Sequence, residues 1–530
     1  MTALAAAAPT MPLAAAAPTA AMADPCATLR RVTDDRPAPR PRDVVARGGD
    51  ASRLPALAAP ELEALTGGQL LRTSGRPIRG AEVDSRLVQP GELFVALPGE
   101  RTDGHRFLVD AARAGAAALL VSELPSPAEL ATLGDVTVLR VPDTLRALHA
   151  VAAGWRARFD PLVVGVTGSI AKTSTKEAVA TVLAADRRTL RSEGNQNNEI
   201  GLPLTILRLG PEDEAAVLEM GMYVGGEIRD LARIARPRIG VVTAVLGVHL
   251  SRIGTIDAVE DAKAELVEAL PTGGVAVLNA DDPRVRRMAS RTPARVETYG
   301  FSSDASVGAD DVVSAGLDGM RFTLRLPAAA PGGLVRRVPA AIPSLGRLSV
   351  HNALAGAAVG LAAGMTPDAI ADALGRGWSV PHRGQVVRAG EVTIVDDAYN
   401  ASPASVLAAL ELLAGLPGRR VAVLGEMLEL GEAADAGHRE VGRAAATACD
   451  LLCVVGPGAE GIASGARAAG LPAGRLIVAA DRAVATERLV EVLRPGDVAL
   501  VKASRGVALE VLVDALVVAL GERTTPERGR

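Results

Sequence analysis

Short hydrophobic runs alternate with longer amphipathic stretches along most of this chain. In its middle, apolar runs such as PLVVGVTG, AAVLEMG and GVAVLNADD are separated by helical patterns such as IDAVEDAKAELVEAL. The alternation restarts near Pro381 with EVTIVDDAYN, RRVAVLGEM, DLLCVVG and DVALVKAS. Strands that alternate with helices are typical of a parallel sheet wrapped by helices. The pattern therefore predicts an α/β protein with a central parallel sheet and a second, Rossmann-like unit at the C-terminus.

A smaller unit precedes the central one, since GELFVAL and HRFLVDAARAGAAALLVSE combine short strands with an Ala-rich helix. We place the three predicted domains at residues 51–159, 160–383 and 384–521. Residues 1–50 are rich in Ala and Pro and are predicted to be a disordered tail, and residues 522–530 a frayed one. Within that first tail, Met11 or Met22 would serve as well as Met1 as the first residue.

Charge and composition exclude several classes of protein. The formal net charge is −4 and the isoelectric point about 6.0, which argues against a surface for nucleic acid. No apolar run reaches the roughly 18 residues of a membrane span, and the N-terminus lacks the basic segment of a secretory signal. Three cysteines make a poor disulfide framework, so we expect a reducing compartment, the cytoplasm. We also expect a monomer.

Lysine is rare in this chain. Only Lys172, Lys176, Lys263 and Lys502 occur among 57 basic Lys and Arg residues. Because the two side chains differ in shape and reactivity, the remaining lysines are candidates for positions that a guanidinium cannot fill.

Two of these lysines lie in GVTGSIAKTSTK, which follows a predicted strand and opens a predicted helix. In that context, backbone N–H groups and the helix N-terminus would bind phosphates, Lys172 would reach the β/γ oxygens, and the Thr173 hydroxyl would bind Mg²⁺. The alternative is an ordinary turn between a strand and a helix. Ala171 stands where the usual pattern has Gly, and the loop would tolerate it if its φ is negative or only mildly strained.

Three more residues fall close to the edge where strands of a parallel sheet end. Glu219 ends the strand AAVLEMG, His249 follows another strand, and Lys263 lies on a helix fourteen residues later. A carboxylate and an imidazole at this edge would suit Mg²⁺, although either is also common as a solvated or capping group. Lys263 belongs to the apolar stripe of its helix, so its pKa should be depressed by burial. The alternative is a solvated lysine paired with Glu260.

Together these blocks resemble the Mur ligases, the ATP-dependent amide-forming enzymes of peptidoglycan precursor synthesis, and among them the MurF type. The resemblance runs from about Leu65 to about Leu520. It is carried by VDSRLVQPGELFVALPGERTDGH, GVTGSIAKTSTKE, GNQNNEIGLPLTIL, LEMGMYVGGEI, NADDP, HNALAG, DDAYNASPAS, VAVLGEMLELGEAADAGHREVG and VKASRG. The chain departs from the family pattern at Ala171, at Ser174 and in TAVLGVHLSRIG.

The resemblance implies a role for each matching residue. Those expected to contact ATP are Gly165, Thr167, Gly168, Ser169, Ala171, Lys172, Thr173, Ser174, Asn279, Asn352, Arg383 and Asp397. Those expected to contact the UDP-MurNAc-tripeptide or the incoming D-Ala-D-Ala are Ser85, Arg86, Asn197, Asn198, Tyr399, Asn400, Lys502 and Ser504. The expected Mg²⁺ ligands are Thr173, Glu219, His249 and Lys263, the last as a carbamate. The expected catalytic residues are Lys172, His249 and Lys263.

The implied reaction is amide ligation through an acyl phosphate, with ATP and Mg²⁺, between UDP-MurNAc-tripeptide and D-Ala-D-Ala. Two alternatives stay open on the sequence. One is a sister ligase that adds a single amino acid, of the MurE or folylpolyglutamate synthase kind. The other is a non-catalytic nucleotide-binding paralogue, for which the altered loop at Ala171 is the support.

Overall fold

The computed structural model describes residues 54–99, 102–247, 253–327 and 334–524, all of them within one compact unit. The predicted tail at residues 1–50 and His249 lie outside these ranges. Of the predicted tail at residues 522–530, the described part continues the last helix. No helix in the described ranges has both the length and the apolar character needed to cross a lipid bilayer.

The N-terminal part of the described chain is a small α/β unit. Its strands are β1 Gln69–Arg72, β2 Ala81–Glu82, β3 Leu93–Val95, β4 Ala118–Val121 and β5 Thr137–Arg140. Its helices are α1 Ala59–Thr66, α2 Leu108–Ala114, α3 Pro127–Thr132 and α4 Thr144–Arg156. The sheet order is β1-β5-β4-β3-β2, with β1 antiparallel to β5 and the other neighbours parallel. Leu148 and Trp155 of α4 share a core with Leu218 of the central sheet, which joins the two units.

The central part is built on a sheet of nine strands. These are β6 Leu162–Thr167, β7 Thr189–Arg191, β8 Ala215–Glu219, β9 Ile239–Val242, β10 Val275–Asn279, β11 Arg295–Gly300, β12 Val307–Ser314, β13 Met320–Leu326 and β14 Arg336–Ile342. The helices are α5 Lys172–Ala184, α6 Gly201–Ile206, α7 Glu227–Ala235, α8 Ile256–Glu268, α9 Pro283–Arg287, α10 Arg347–Ala362 and α11 Pro367–Gly375. The order is β14-β13-β12-β11-β10-β9-β6-β8-β7, parallel from β7 to β12 and antiparallel at β12-β13-β14.

Burial on both faces explains why β6 reads as a continuous apolar run. Successive side chains of a strand point to opposite faces. Val163 packs in one core with Leu266 of α8, whereas Val164 packs in the other with Val179 of α5. A strand covered by helices on both sides has no face left for polar residues. The predicted central parallel sheet is therefore confirmed.

The C-terminal part forms a third sheet. Its strands are β15 Gln385–Ala389, β16 Val392–Asp396, β17 Arg420–Gly425, β18 Leu451–Val455, β19 Leu476–Ala479 and β20 Val498–Lys502. Its helices are α12 Pro403–Ala414, α13 Ala434–Ala448, α14 Glu460–Ala468, α15 Arg482–Val492 and α16 Glu510–Thr524. The order is β15-β16-β20-β17-β18-β19, and only the β15-β16 pair is antiparallel among these described strands. The predicted α/β class with three sheet-containing domains is confirmed.

Residues 168–171 join β6 to α5, and we call them the phosphate loop. The last of them, Ala171, precedes α5 with φ 62° and ψ 2°, in the left-handed region. A β-carbon in this region costs roughly 1–2 kcal/mol. The alternative of a negative φ at this position is therefore wrong, and the natural chain carries some backbone strain at the start of α5.

Replacement of this residue by glycine tests the strain. Ala171→Gly should raise the free energy of unfolding by about 1 kcal/mol, because glycine adopts positive φ without the steric cost. Urea denaturation of the two proteins measures the difference. Catalytic turnover should stay within about tenfold, equivalent to about 1.4 kcal/mol of activation free energy, because the path of the backbone is unchanged.

The matched control is Ala436→Gly, at an exposed position of α13. Glycine at a right-handed helical position should lower stability by about 0.5–1 kcal/mol. A loss of stability in Ala171→Gly as large as in this control would contradict the strain.

Candidate active site

The phosphate loop is held in shape by the chain that follows β9. Gly168 has φ 148°, and a β-carbon there would lie 1.8 Å from Thr243 Oγ1. Thr243 Oγ1 donates to Ile170 O at 2.6 Å, and Ser169 N donates to Ala244 O at 2.7 Å. Only glycine fits this close approach, so Gly168 lets the loop turn against its neighbour.

Lys172 begins α5 and lies over the loop. Its Nζ donates to Gly168 O at 2.7 Å. Burial lowers the pKa of Lys172, the Glu219 carboxylate acts against this, and the charge of Arg383 adds to the lowering. Lys172, Glu219 and Arg383 are distant in sequence, and the fold brings their charges within reach of one another.

Some of the residues predicted to contact ATP pack against the protein or form hydrogen bonds within it. Gly165 lies inside β6 rather than in the loop, and its missing side chain leaves room for Leu266. Thr167 is buried, and its hydroxyl donates to Met220 O at 2.8 Å. Thr173 is buried as well, whereas Ser169, Ala171 and Ser174 are partly exposed. Gly165 thus lies within the strand that precedes the phosphate loop, and contact of these residues with ATP stays a prediction.

Glu219 ends β8 beside the loop and is only 2% exposed. Its Oε1 accepts a hydrogen bond from Asn197 Nδ2 at 2.8 Å, whereas Oε2 is buried without a hydrogen-bond partner among the described residues. A buried carboxylate oxygen is costly unless something binds it. An oxygen of this kind, on a carboxylate whose charge acts on Lys172 at the start of α5, suits a divalent cation such as Mg²⁺.

Lys263 lies on α8 and is 2% exposed. Burial lowers its pKa well below the usual value, and the positive charge of Lys172 lowers it further. The pairing with Glu260 is absent, since Glu260 Oε2 instead accepts from Arg284 at 2.6 Å and from Arg287 at 2.8 Å. The prediction of a buried lysine with a depressed pKa is confirmed, and a solvated helix lysine is excluded.

The remaining predicted metal ligand, His249, lies outside the described residues. Within the described ranges, no group of three or more His, Cys, Asp or Glu side chains could hold a metal ion. A metal at this edge would therefore depend on Glu219 and Thr173, together with groups such as phosphate oxygens or a modified Lys263.

A cleft of about 150 Å³ opens next to Lys172. It brings together two predicted substrate residues, Asn197 and Asn198, with His149 of α4 and Tyr223, neither of which the sequence pattern indicated. Asn198 Oδ1 accepts from Gly201 N at 2.9 Å and so supports the start of α6. Because His149 belongs to the N-terminal unit, the cleft is shared by the first two sheets.

Asn279 and Asn352 are both buried behind the loop. Asn352 Oδ1 accepts from Thr175 at 2.9 Å, which ties α10 to α5, and Asn279 Nδ2 donates to Thr243 O at 2.7 Å. The more exposed group is His351, which lies 3.1 Å from Asn279 Oδ1 and 5.0 Å from the Tyr299 ring, between ring centroids. Sequence reasoning missed His351, although it directly precedes Asn352 in HNALAG.

On the third sheet the predicted residues gather where β16 and β20 end. Lys502 Nζ donates to Asp397 Oδ2 at 2.6 Å and to Asn400 O at 2.9 Å. Ser504 is buried, and its Oγ accepts from Leu428 N at 2.9 Å. These bonds shape the loops at the strand ends.

Tyr399 lies at the same edge, with two guanidinium groups at its ring. The Cζ atoms of Arg383 and Arg505 are 4.1 Å and 4.8 Å from the ring centroid. Arg505 is exposed and forms no ion pair within the described part of the chain. Sequence reasoning missed Arg505, and the signal that could have found it is its place directly after Ser504 in VKASRG.

Ser85 and Arg86 follow β2 in the N-terminal unit. Arg86 is exposed, and its guanidinium donates to Asp84 Oδ1 at 2.8 Å and to Asp84 Oδ2 at 2.5 Å. These bonds stay within the N-terminal unit.

Comparison with known proteins identifies the same architecture. Three family models match in order: the Mur ligase family, catalytic domain over residues 77–156, the Mur ligase middle domain over residues 166–360, and the Mur ligase, glutamate ligase domain over residues 382–505. The UDP-N-acetylmuramoyl-tripeptide--D-alanyl-D-alanine ligase of Mycobacterium tuberculosis strain H37Rv is 39% identical, over 82% of this chain and 91% of the relative. That of Escherichia coli strain K12 is 37% identical, over 82% and 92%.

Solved structures of MurF ligases have the same fold as this chain. A crystal structure of MurF from Acinetobacter baumannii has a TM-score of 0.78 and 28% identity, and it covers 88% of this chain and all of its own. The MurF ligase of Thermotoga maritima in complex with ADP has a TM-score of 0.72 and 29% identity, over 84% and 98% of the two chains.

The two kinds of sister ligase that the sequence left open are more distant. A folylpolyglutamate synthase of M. tuberculosis is 19% identical with a TM-score of 0.54, over 73% of this chain and 94% of its own. A 2,6-diaminopimelate ligase is 20% identical with a TM-score of 0.50, over 89% and 100%. Both share the fold alone. The chain belongs to the Mur ligase family, among its UDP-N-acetylmuramoyl-tripeptide--D-alanyl-D-alanine ligases.

Proposed function

We propose that this chain uses ATP to join D-alanyl-D-alanine to UDP-N-acetylmuramoyl-tripeptide, a step of peptidoglycan precursor synthesis. One observation carries the proposal beyond family membership. Lys172, the unsatisfied carboxylate oxygen of Glu219 and the buried Lys263 lie at one edge of the central sheet, where positive charge is in excess. Such an edge is suited to the phosphates of ATP and to a bound metal ion.

The first step is activation of a carboxylate. The terminal carboxylate oxygen of the tripeptide attacks the γ-phosphorus of ATP, the bond from phosphorus to the β,γ-bridging oxygen breaks, and ADP leaves. Lys172 would turn from Gly168 O to the phosphate oxygens and stabilise the charge that develops there. Backbone N–H groups at the start of α5 would orient the β-phosphate.

The second step is formation of the amide bond. The amine nitrogen of D-Ala-D-Ala attacks the carbonyl carbon of the acyl phosphate, the tetrahedral intermediate expels phosphate, and the nitrogen loses a proton. No side-chain nucleophile is needed, so the residues act by positioning the reactants and by excluding water.

The groups at the strand ends fit Mg²⁺. Thr173 and Glu219 would hold it, with His249 and a carbamylated Lys263 as further proposed ligands. The bound ion would neutralise charge on the phosphoryl group that is transferred. A carbamate forms when a neutral amine reacts with CO₂, and the lowered pKa of Lys263 supplies that neutral amine.

We propose a carboxylate site for the dipeptide at Arg505. Lys502 is neutralised by Asp397, whereas the exposed Arg505 has no acidic partner among the described residues. A guanidinium pairs well with a carboxylate through two hydrogen bonds. Its ring contact with Tyr399 places it close to Arg383, whose charge is felt at Lys172. The amine end of the dipeptide would then point to the acyl phosphate.

Each of the proposed domains, residues 51–159, 160–383 and 384–521, contains one of the sheets, and we propose that each binds one ligand. The uridine nucleotide would lie near Ser85 and Arg86, ATP at the phosphate loop, and the dipeptide near Tyr399, Asn400, Lys502 and Ser504. Closure of the domains would exclude water from the acyl phosphate.

We further propose a monomer that acts in the cytoplasm. Cys449 and Cys453 are free and buried, and burial raises their thiol pKa values to about 11 and about 12. Unreactive thiols of this kind suit a reducing compartment.

The direct test is phosphate release from ATP in the presence of UDP-MurNAc-tripeptide, with and without D-Ala-D-Ala. Release that requires both peptides, with one amide product formed for each phosphate, is expected. Omission of D-Ala-D-Ala, or its replacement by single amino acids, serves as the control. Equal turnover with single amino acids would contradict the dipeptide assignment.

Lys263 supplies a sharper test of the carbamate. Lys263→Ala should be folded and nearly inactive, and short carboxylates added to the assay should restore part of the turnover by filling the vacated anion site. Lys263→Arg should remain inactive with or without them, because its side chain fills the site with the wrong charge. Wild-type turnover in Lys263→Ala would refute the carbamate.

Arg505 is tested with two forms of the dipeptide. Arg505→Gln should raise the KM for D-Ala-D-Ala about tenfold or more and change kcat little, since the lost contact binds the substrate away from the reacting atoms. The C-terminal amide of the dipeptide, which has no carboxylate, should be used equally by both proteins. Arg443→Gln, at an exposed position of α13, is the matched control and should behave as wild type. An equal loss with both dipeptides would exclude a carboxylate contact.

A further inference from the structure

The linker between α11 and β15 contains a histidine in an uncommon conformation. His382 has φ 59°, in the left-handed region that residues with a β-carbon avoid. A strained residue persists only where its surroundings hold it. The contacts of His382 must therefore hold this conformation in place.

Two hydrogen bonds fasten His382 to the end of β16 and to the loop that follows it. Its Nδ1 lies 2.7 Å from Asp396 Oδ2, and its carbonyl oxygen accepts from Tyr399 N at 3.0 Å. Asp396 is 2% exposed at the end of β16, and its Oδ1 also accepts from Ala398 N at 3.1 Å. A buried carboxylate is a fixed anchor, whereas the His382 side chain is 34% exposed. The linker is thus attached to the third sheet on both its side-chain and its main-chain sides.

The next residue, Arg383, shows what this attachment does. Its guanidinium stacks on Tyr399 at 4.1 Å, and its Nε is buried without a hydrogen-bond partner among the described residues. Its charge acts on Lys172 and lowers the pKa of that amine. A stacked guanidinium with an unsatisfied N–H, within electrostatic reach of the phosphate loop, is poised to bind an anion there.

We propose that His382 and Asp396 form a clamp that sets the backbone of the linker so that Arg383 is held between Tyr399 and the bound nucleotide. His382 is a positioning residue, since it acts through Arg383. The clamp rests on the proposed function, because that function requires nucleotide binding. The clamp goes beyond that function because it would explain how the third domain contributes to the ATP site of the second.

Substitutions at His382 separate the clamp from a general role in stability. His382→Gly relieves the backbone strain but also removes the hydrogen bond to the buried Asp396, and these two effects oppose each other, so the variant should stay folded with a melting temperature within several degrees of wild type. Its affinity for Mg·ADP, measured by calorimetry, should nevertheless fall about tenfold or more. The KM for ATP should rise by a similar factor, with a smaller change in kcat.

His382→Asn is the conservative variant. Asparagine tolerates the left-handed region, and its amide Nδ2 is bonded to Cγ as Nδ1 is in histidine, so it can donate to Asp396. Its Mg·ADP affinity should lie within about threefold of wild type. Arg236→Gly is the matched control, because Arg236 is an exposed cation with φ 50° at the end of α7. The affinity of this variant for Mg·ADP should equal that of wild type.

A double-mutant cycle tests whether the effect passes through Arg383. In an Arg383→Gln background, His382→Gly should change Mg·ADP affinity less than threefold, because there is no guanidinium left to position. The clamp would be overturned if the two substitutions lowered the affinity for Mg·ADP by independent factors that multiply. Wild-type affinity in His382→Gly, or the same loss of affinity in His382→Asn as in His382→Gly, would overturn it as well.

The measurement needs neither peptide substrate, which separates this inference from the proposed function. A wild-type protein that binds Mg·ADP but joins no dipeptide overturns the proposed function alone. A His382→Gly protein with unchanged nucleotide affinity overturns the clamp alone.

Discussion

Uncompensated positive charge at one edge of the central sheet is the constraint on which this structure depends. The ammonium groups of Lys172 and Lys263 are close enough that the charge of Lys172 lowers the pKa of Lys263, and Arg383 lowers that of Lys172. Glu219 is the carboxylate that acts on Lys172, and one of its oxygens has no hydrogen-bond partner in the described residues. Buried charges of this kind are stable only when opposite charges are supplied. Phosphate and a carbamate would supply negative charge, and a metal ion would pair with the free oxygen of Glu219.

The sheet places these groups and keeps them there. Carboxyl ends of neighbouring parallel strands meet at one edge, so β6, β8 and β9 deliver the phosphate loop, Glu219 and Thr243 to the same place. Thr243 then fixes the loop through Ile170 O, and Gly168 permits the contact. Helices cover both faces, which excludes water from the strands that carry the site and strengthens the electrostatic interactions there.

Under the proposed function, positioning of the reactants would be shared among the three sheets. The cleft beside Lys172 uses His149 from the N-terminal unit, and the third sheet presents Tyr399 with Arg383 and Arg505 at its ring. A reaction that proceeds through an acyl phosphate needs this division, because the two peptides and ATP must meet while water is kept out. The linker at His382 is where the second and third sheets are joined, so its backbone conformation bears directly on the site.

The sequence by itself determined the features that depend on local spacing. Short apolar runs predicted the strands and amphipathic stretches predicted the helices, and the position of Lys263 in an apolar stripe predicted its burial, because these patterns follow from the geometry of a single element. Tertiary structure alone decided which groups become partners. Glu260 binds Arg284 and Arg287 rather than Lys263, and Asn352 binds Thr175. Likewise, the sign of φ at Ala171 and the meeting of Arg505 with Tyr399 arise from contacts between segments far apart in the chain. Spacing along a sequence does not predict such contacts, because they are set by how the elements pack.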